Sequence, residues 1–135
     1  IVLPMLKQLK ETNHGAPFVD MEDVPKELRA TKAQIAKAEK NGDVDDKHFE
    51  RWDWIMGEMI WAFEQKTYDW ESDYTTGEYD WQFEKIEDGE HKGLCQMVKG
   101  TNHTAVTDWD GRKKHQERMN NGFRLFGKYY ESLWD

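Results

Sequence analysis

The sequence predicts an α+β fold: a mainly helical layer of three principal helices with a small two- or three-stranded antiparallel β-meander. Three observations predict it. Apolar residues recur with helical period over residues 46–66 and again over 111–133. Between those stretches, over residues 79–107, the period falls to two. Gly, Asn and Asp clusters punctuate the chain where one pattern gives way to the next.

Residues 1–12 read as a short helix with Val2, Met5, Leu6 and Leu9 on one side. Asn13 and Gly15 stop it, and Pro17 forbids its continuation. From Pro17 to Arg29 the chain is an acidic connector with one turn at Pro25–Leu28, where proline suits the first helical position. Thr31 and Gln34 fit a capping box that starts a short helix ending at Asn41-Gly42. Only Ile35 and alanines face inward there, so this helix is expected at the periphery.

The central helix is expected from about Asp46 to Lys66, with Asp45 as its N-cap. Phe49, Trp52, Ile55, Met56, Met59, Ile60 and Phe63 fill one arc and form the predicted core stripe. Trp54 and Trp61 fall on the other side, among Glu50, Arg51, Gly57, Glu58 and Gln65. Gly57 costs about 1 kcal/mol in mid-helix, and its missing side chain lets another backbone approach between the indoles.

After the aromatic turn Asp69–Tyr74 and Gly77, residues Tyr79, Trp81 and Phe83 alternate with Asp80, Gln82 and Glu84. A turn at Glu87–Glu90 leads to a second strand over Leu94–Val98, and Gly100–Asn102 leads to a third over His103–Thr107. The expected meander is polar on one side and covered by helices on the other. The last helix runs from 111 to about 133. Met119, Gly122, Phe123, Phe126, Tyr130, Leu133 and Trp134, joined by His115, share its apolar arc. With no repeat or linker, residues 1–135 read as a single domain. The apolar opening at Ile1-Val2, without an initiator Met, reads as the C-terminal part of a longer chain lacking its N-terminal segment.

Composition narrows function. With 27 acidic against 19 basic residues the net charge is −8, which argues against direct nucleic-acid binding. No apolar run approaches the roughly 18 residues of a membrane span, so no membrane partner is expected. The single Cys95 excludes an internal disulfide and suits a reducing cytoplasm. It lies on a predicted strand with no close basic neighbour, and a buried, inert thiol is expected.

The five histidines (14, 48, 91, 103 and 115) show no metal-ligand spacing. Asp45 and His48 are three apart, but an Asp at a helix start is more simply a cap. Asp69, Glu71 and Asp73 imitate the start of a calcium loop, yet Tyr74 stands where that loop requires Gly. Glu58 and Glu64 are six apart on the central helix and point in different directions. Serine occurs only at 72 and 132, and no phosphate-binding glycine loop is present. No catalytic residue, cofactor or metal site is therefore assigned, and the case for an enzyme is weak.

What remains is the second apolar face of the central helix. A helix apolar on two sides needs two things to pack against. Trp54, Trp61, Gly57 and Glu58 are the candidate protein-interaction residues. Tryptophan is enriched among interface anchors. The simplest partner is a second copy paired about a two-fold axis, giving a homo-oligomer. The bland alternative has the helix at 31–40, or a preceding segment, cover the patch in cis. Two other classes compete with association. An acidic DNA-mimic inhibitor of a host nucleic-acid enzyme is weakened by the 19 interspersed Lys and Arg. A metal-dependent enzyme requires Asp45, His48 and Glu58 to be completed by a missing N-terminal segment.

Several stretches also carry a resemblance. They are Leu3-Pro4-Met5-Leu6-Lys7-Gln8-Leu9-Lys10, Asp23-Val24-Pro25 with Glu27-Leu28-Arg29, and Arg51-Trp52-Asp53-Trp54. Glu58-Met59-Ile60-Trp61-Ala62-Phe63-Glu64-Gln65, Asn121-Gly122-Phe123-Arg124-Leu125-Phe126-Gly127-Lys128-Tyr129-Tyr130 and the final Leu133-Trp134-Asp135 complete the set. Together they resemble a protein family of marine tailed phages, cyanophages in particular, that is also common in ocean metagenomes. The likeness spans nearly the whole chain. It implies a phage gene product acting in the bacterial host cytoplasm or in the virion, as a virion component or on a host protein. It implies no particular activity, fold or site residue.

Overall fold

The computed structural model describes residues 1–134 and is an α+β fold. Helix α1 spans Val2–Thr12, α2 Lys32–Lys40, α3 His48–Gln65 and α4 Trp109–Lys128. Strands β1 (Thr75–Thr76), β2 (Trp81–Lys85), β3 (Cys95–Lys99) and β4 (Val106–Thr107) lie between α3 and α4. Short 3-10 turns at Met21–Asp23, Lys26–Leu28, Trp70–Tyr74 and Tyr130–Ser132 complete the chain. The residues gather into two compact units, Ile1–Tyr68 with the chain from His115 onward, and Asp69–Lys114. No helix among the described residues is long and apolar enough to cross a membrane.

The first unit is built on α3. Trp52 is 2% exposed and meets Tyr129 edge-on at 6.0 Å, within a core that includes Leu6, Val24, Ile55, Met56, Met59 and Leu125. α1 packs along α3 through its buried Leu6, with Val2 and Leu9 partly covered. The capping box on α2 forms as the sequence predicts: the Gln34 N–H donates to the Thr31 hydroxyl, and the Thr31 N–H donates to the Gln34 side chain. α2 buries no residue, in keeping with its weak stripe.

The buried stripe of α3 is turned from its predicted position. Phe49 is 58% exposed, whereas His48, Arg51, Ala62 and Gln65 are buried. The polar side chains among them, His48, Arg51 and Gln65, are inside because each has a partner. The His48 Nε2 donates to the Ala16 carbonyl at 2.9 Å, since a carbonyl can only accept. Arg51 donates to the Leu28 carbonyl at 3.0 Å and to both oxygens of Asp45. Asp45 is consequently not the N-cap. That position falls to Lys47, whose own N–H donates to the Asp45 carboxylate at 3.2 Å. On α4 Met119 and Gly122 are buried as expected, joined by Leu125, with Phe126 partly covered. The helix ends at Lys128, short of the expected 133, and beyond it Tyr129 is buried while Tyr130 and Trp134 are exposed.

The second unit holds two separate two-stranded antiparallel sheets. β2 and β3 pair from Trp81↔Lys99 to Lys85↔Cys95. The expected third strand is shorter than 103–107 and pairs elsewhere: Val106 and Thr107 face Thr76 and Thr75. The Thr75 and Thr107 hydroxyls bond at 3.0 Å. Gly77 makes this return possible, because with φ +83° a Cβ would fall 2.3 Å from the Thr104 carbonyl oxygen. All five residues of β2 are exposed, where one helix-covered face was expected. Cys95 is likewise exposed, not buried, because it sits on that open hairpin.

Candidate functional site

Trp54, Gly57, Glu58 and Trp61 follow the i, i+3, i+4, i+7 spacing and share one face of α3. Both indoles are half-buried. They border a shallow groove of about 540 Å³, lined also by Lys10, Leu28, Glu50, Asp53, Ile60, Glu64 and Arg118. Lys10 belongs to α1, Leu28 to the connector and Arg118 to α4, and no residue of α2 lines the groove.

Trp61 is held from two sides. The Arg118 guanidinium carbon lies 3.8 Å from the ring centroid, and His115 packs at 5.0 Å with a 40° tilt. Arg118 also forks onto Glu58, with Nε–Oε2 at 3.1 Å and an NH2 group on Oε1 at 2.8 Å. The bond to Glu58 raises the guanidinium further above its ordinary range, against the opposing effect of burial. His115 Nε2 lies 2.9 Å from the Gln65 carbonyl oxygen, which also accepts from the Tyr68 hydroxyl at 2.8 Å. The Gln65 amide donates to the Trp61 carbonyl at 3.1 Å. Gln65, expected on the outer face, is thus a buried hub that fixes the base of the site.

The gap at Gly57 holds the Lys10 ammonium. A Cβ built there would stand 3.3 Å from Lys10 Nζ, which donates to the Asp53 carbonyl at 3.1 Å and bridges its carboxylate at 3.3 Å. Lys7 bridges Glu64 at 2.8 Å. The acids around the groove are therefore largely matched by bases from α1 and α4. Glu58 and Glu64, with different partners, do not form a carboxylate pair.

Other sequence candidates are dispersed. Asp45 is committed to Arg51, which holds its carboxyl below the usual carboxylate range through hydrogen bonding, while His48 turns to Ala16 and to the Phe18 ring at 5.0 Å. Asp69, Glu71 and Asp73 lie in or beside the Trp70–Tyr74 turn, where Glu71 bridges Arg112 at 2.6 Å. Among the described residues no group of three His, Cys, Asp or Glu side chains is placed to hold a metal ion.

One cluster has no counterpart in the sequence reading. Asp23, a connector acid, is buried and accepts from Arg124 at 2.7 Å, Lys128 at 2.5 Å and the Tyr129 hydroxyl at 2.6 Å. Burial alone would push its carboxyl up; the bonds from Lys128, Tyr129 and Arg124 override that and lower it from 3.8 to about 2. Burial, then Asp23, pushes the Tyr129 hydroxyl up. Arg124 and Lys128 stand four apart on α4, a helical spacing legible in the sequence, but nothing local ties them to an acid 101 residues away. An open apolar groove of about 900 Å³ also lies between α1 and the C-terminal turn, lined by Val2, Met5, Leu9, Phe126, Leu133 and Trp134 among others.

Compared with known proteins, the chain matches no family model, no curated protein and no solved structure.

Proposed function

We propose that this chain is a phage-encoded, non-enzymatic, small acidic protein that acts by protein–protein association through the Trp54–Trp61 face. Its simplest partner is a second copy of itself; a virion or host protein is the other, in the host cytoplasm or the virion. The observation that carries the reading is the state of the two indoles. Both are only partly buried on one helix face, Trp54 resting against the core and Trp61 held between Arg118 and His115. An anchor already fixed in place loses little side-chain entropy on binding. Tryptophan and arginine together are the residues most enriched at interface hot spots, each worth about 2 kcal/mol or more when central. The matched acids and bases at the rim lend specificity more than affinity.

Sedimentation velocity on the full 135-residue chain tests the self-association form. Wild type is expected above its 16.1 kDa chain mass, with the Trp54→Ala/Trp61→Ala variant at a smaller average mass. Identical masses for the two proteins would end that form of the reading.

A further inference from the structure

The β2–β3 hairpin of the second unit presents a surface that the helical site does not use. Among the described residues its strands pair only with each other. Tyr79, Trp81 and Phe83 are 58%, 42% and 73% exposed. Cross-strand pairing sets Trp81 beside Lys99, Phe83 beside Met97 and Lys85 beside Cys95, so these six side chains share one face. Gln82 and Glu84 lie on the other, opposite Val98 and Gln96. A two-stranded hairpin is marginal in water by itself, and stability comes with a third strand or more. The hairpin has the form of half a sheet.

Its free edge is defined by the hydrogen bonds at either end of β2. The Gly100 N–H donates to the Asp80 carbonyl, and the Ile86 N–H donates to the Leu94 carbonyl. Even-numbered residues therefore turn their backbone groups toward β3. The N–H and C=O groups of Trp81, Phe83 and Lys85 point outward along the opposite edge. No Pro or Gly interrupts Glu78–Ile86, so of the usual protections of an edge strand the stretch has only charged side chains, Glu78, Asp80, Glu84 and Lys85.

We infer that a second copy of this chain adds to that edge, β2 running antiparallel to β2 about a two-fold axis at Phe83, to make one four-stranded sheet with a continuous aromatic face. Charge and shape select this register. Phe83 meets Phe83 of the second copy, Trp81 meets its Lys85 in a cation–aromatic pair, and Gln82 meets its Glu84. Across Asp80–Ile86 no like charges oppose. An axis at Lys85 would set lysine against lysine. An axis at Trp81 would set Glu84 against Glu78 and run Lys85 onto Gly77, whose φ of +83° ends the extended run. The contact uses none of Trp54, Gly57, Glu58 or Trp61 and does not rest on the helical reading.

Sedimentation equilibrium of the full chain tests it with Gln82→Glu, Gln82→Glu/Glu84→Lys and Trp54→Ala/Trp61→Ala. Within the hairpin, residues 82 and 84 directly face the uncharged Val98 and Gln96, so neither change creates a cross-strand like-charge pair inside one chain. Wild type self-associates. Gln82→Glu opposes two like-charge pairs per dimer and raises the dissociation constant about fivefold to tenfold. The Gln82→Glu/Glu84→Lys variant turns both pairs into opposite charges and returns the constant to within about twofold of wild type. Trp54→Ala/Trp61→Ala remains at least dimeric. A monomeric wild type, or a Gln82→Glu constant equal to that of wild type, overturns the proposal. A Trp54→Ala/Trp61→Ala variant that is wholly monomeric also overturns it, and assigns self-association to the helical face instead.

Discussion

The Arg118 guanidinium covers the Trp61 ring at 3.8 Å while it holds both oxygens of Glu58. One half-exposed side chain thereby fixes an aromatic anchor and neutralises the acid beside it. Arg118→Ala is expected to leave the fold intact, at a cost of about 0.5–1 kcal/mol for an exposed contact of this kind. It should uncover the indole. Iodide quenching, compared between Arg118→Ala and the same change in a Trp61→Phe background, isolates that ring among the seven tryptophans. Equal quenching with and without Arg118 would mean the guanidinium does not shield Trp61.

Asp23 makes stability depend on acid. Its carboxyl titrates near 3.8 in the unfolded chain and at about 2 in the folded one. The folded value is the lower, so its contribution is complete above about pH 4 and fades as pH falls toward 2. The difference corresponds to about 2 kcal/mol. Asp23→Asn should flatten the urea midpoint over that range while lowering it at neutral pH. A variant as acid-sensitive as wild type would place the dependence elsewhere.

The Asp45–Arg51 pair should be asymmetric to mutation. Asp45→Ala leaves a buried guanidinium with only the Leu28 carbonyl and is expected to cost about 3 kcal/mol. Adding Arg51→Met removes the stranded charge and should recover at least half of the loss. If the double variant is less stable than Asp45→Ala in chemical denaturation, the burial argument is wrong.

Two glycines on facing helices should respond with opposite signs. A Cβ at Gly122 would lie 2.5 Å from the Ala62 Cβ and 2.7 Å from the Glu58 carbonyl oxygen, so α4 packs directly against α3 there. Gly122→Ala is expected to cost about 2 kcal/mol through overpacking. At Gly57 the new methyl would meet the end of the long Lys10 side chain, which can shift by a few tenths of an ångström and keep its exposed bond to Asp53, and Gly57→Ala should gain about 0.5–1 kcal/mol of helix propensity. Thermal midpoints moving in the same direction would contradict this account of the two contacts.

The helices were legible because each carries its own pattern: the Thr31–Gln34 box, the stop after α1, and the period of α3 and α4 are local signals. The turn of the α3 stripe from Phe49 toward His48 and Arg51 was not, because hydropathy marks those residues as outward and their partners, Ala16, Leu28 and Asp45, are set by the fold. Gln65 was missed for the same reason, its partner His115 lying 50 residues on. β1 and β4 are two residues each, too short to leave a period. The Trp54–Trp61 face was visible as indoles off the main stripe. That Lys10 and Arg118 would line it was not, since long basic side chains give no sign of which distant surface their stems will cross.

The buried Asp23 cluster also sets an order of events during synthesis. Asp23 leaves the ribosome 101, 105 and 106 residues before Arg124, Lys128 and Tyr129, the three groups that satisfy it. Until α4 emerges the carboxylate can only stay hydrated, so the stretch around Asp23 lacks its final partners while Ala16 and Leu28 can already meet α3. Closing so long a loop is slow compared with helix formation. Asp23 is therefore expected to be buried only when α4 arrives, after α1 and α3 have already emerged.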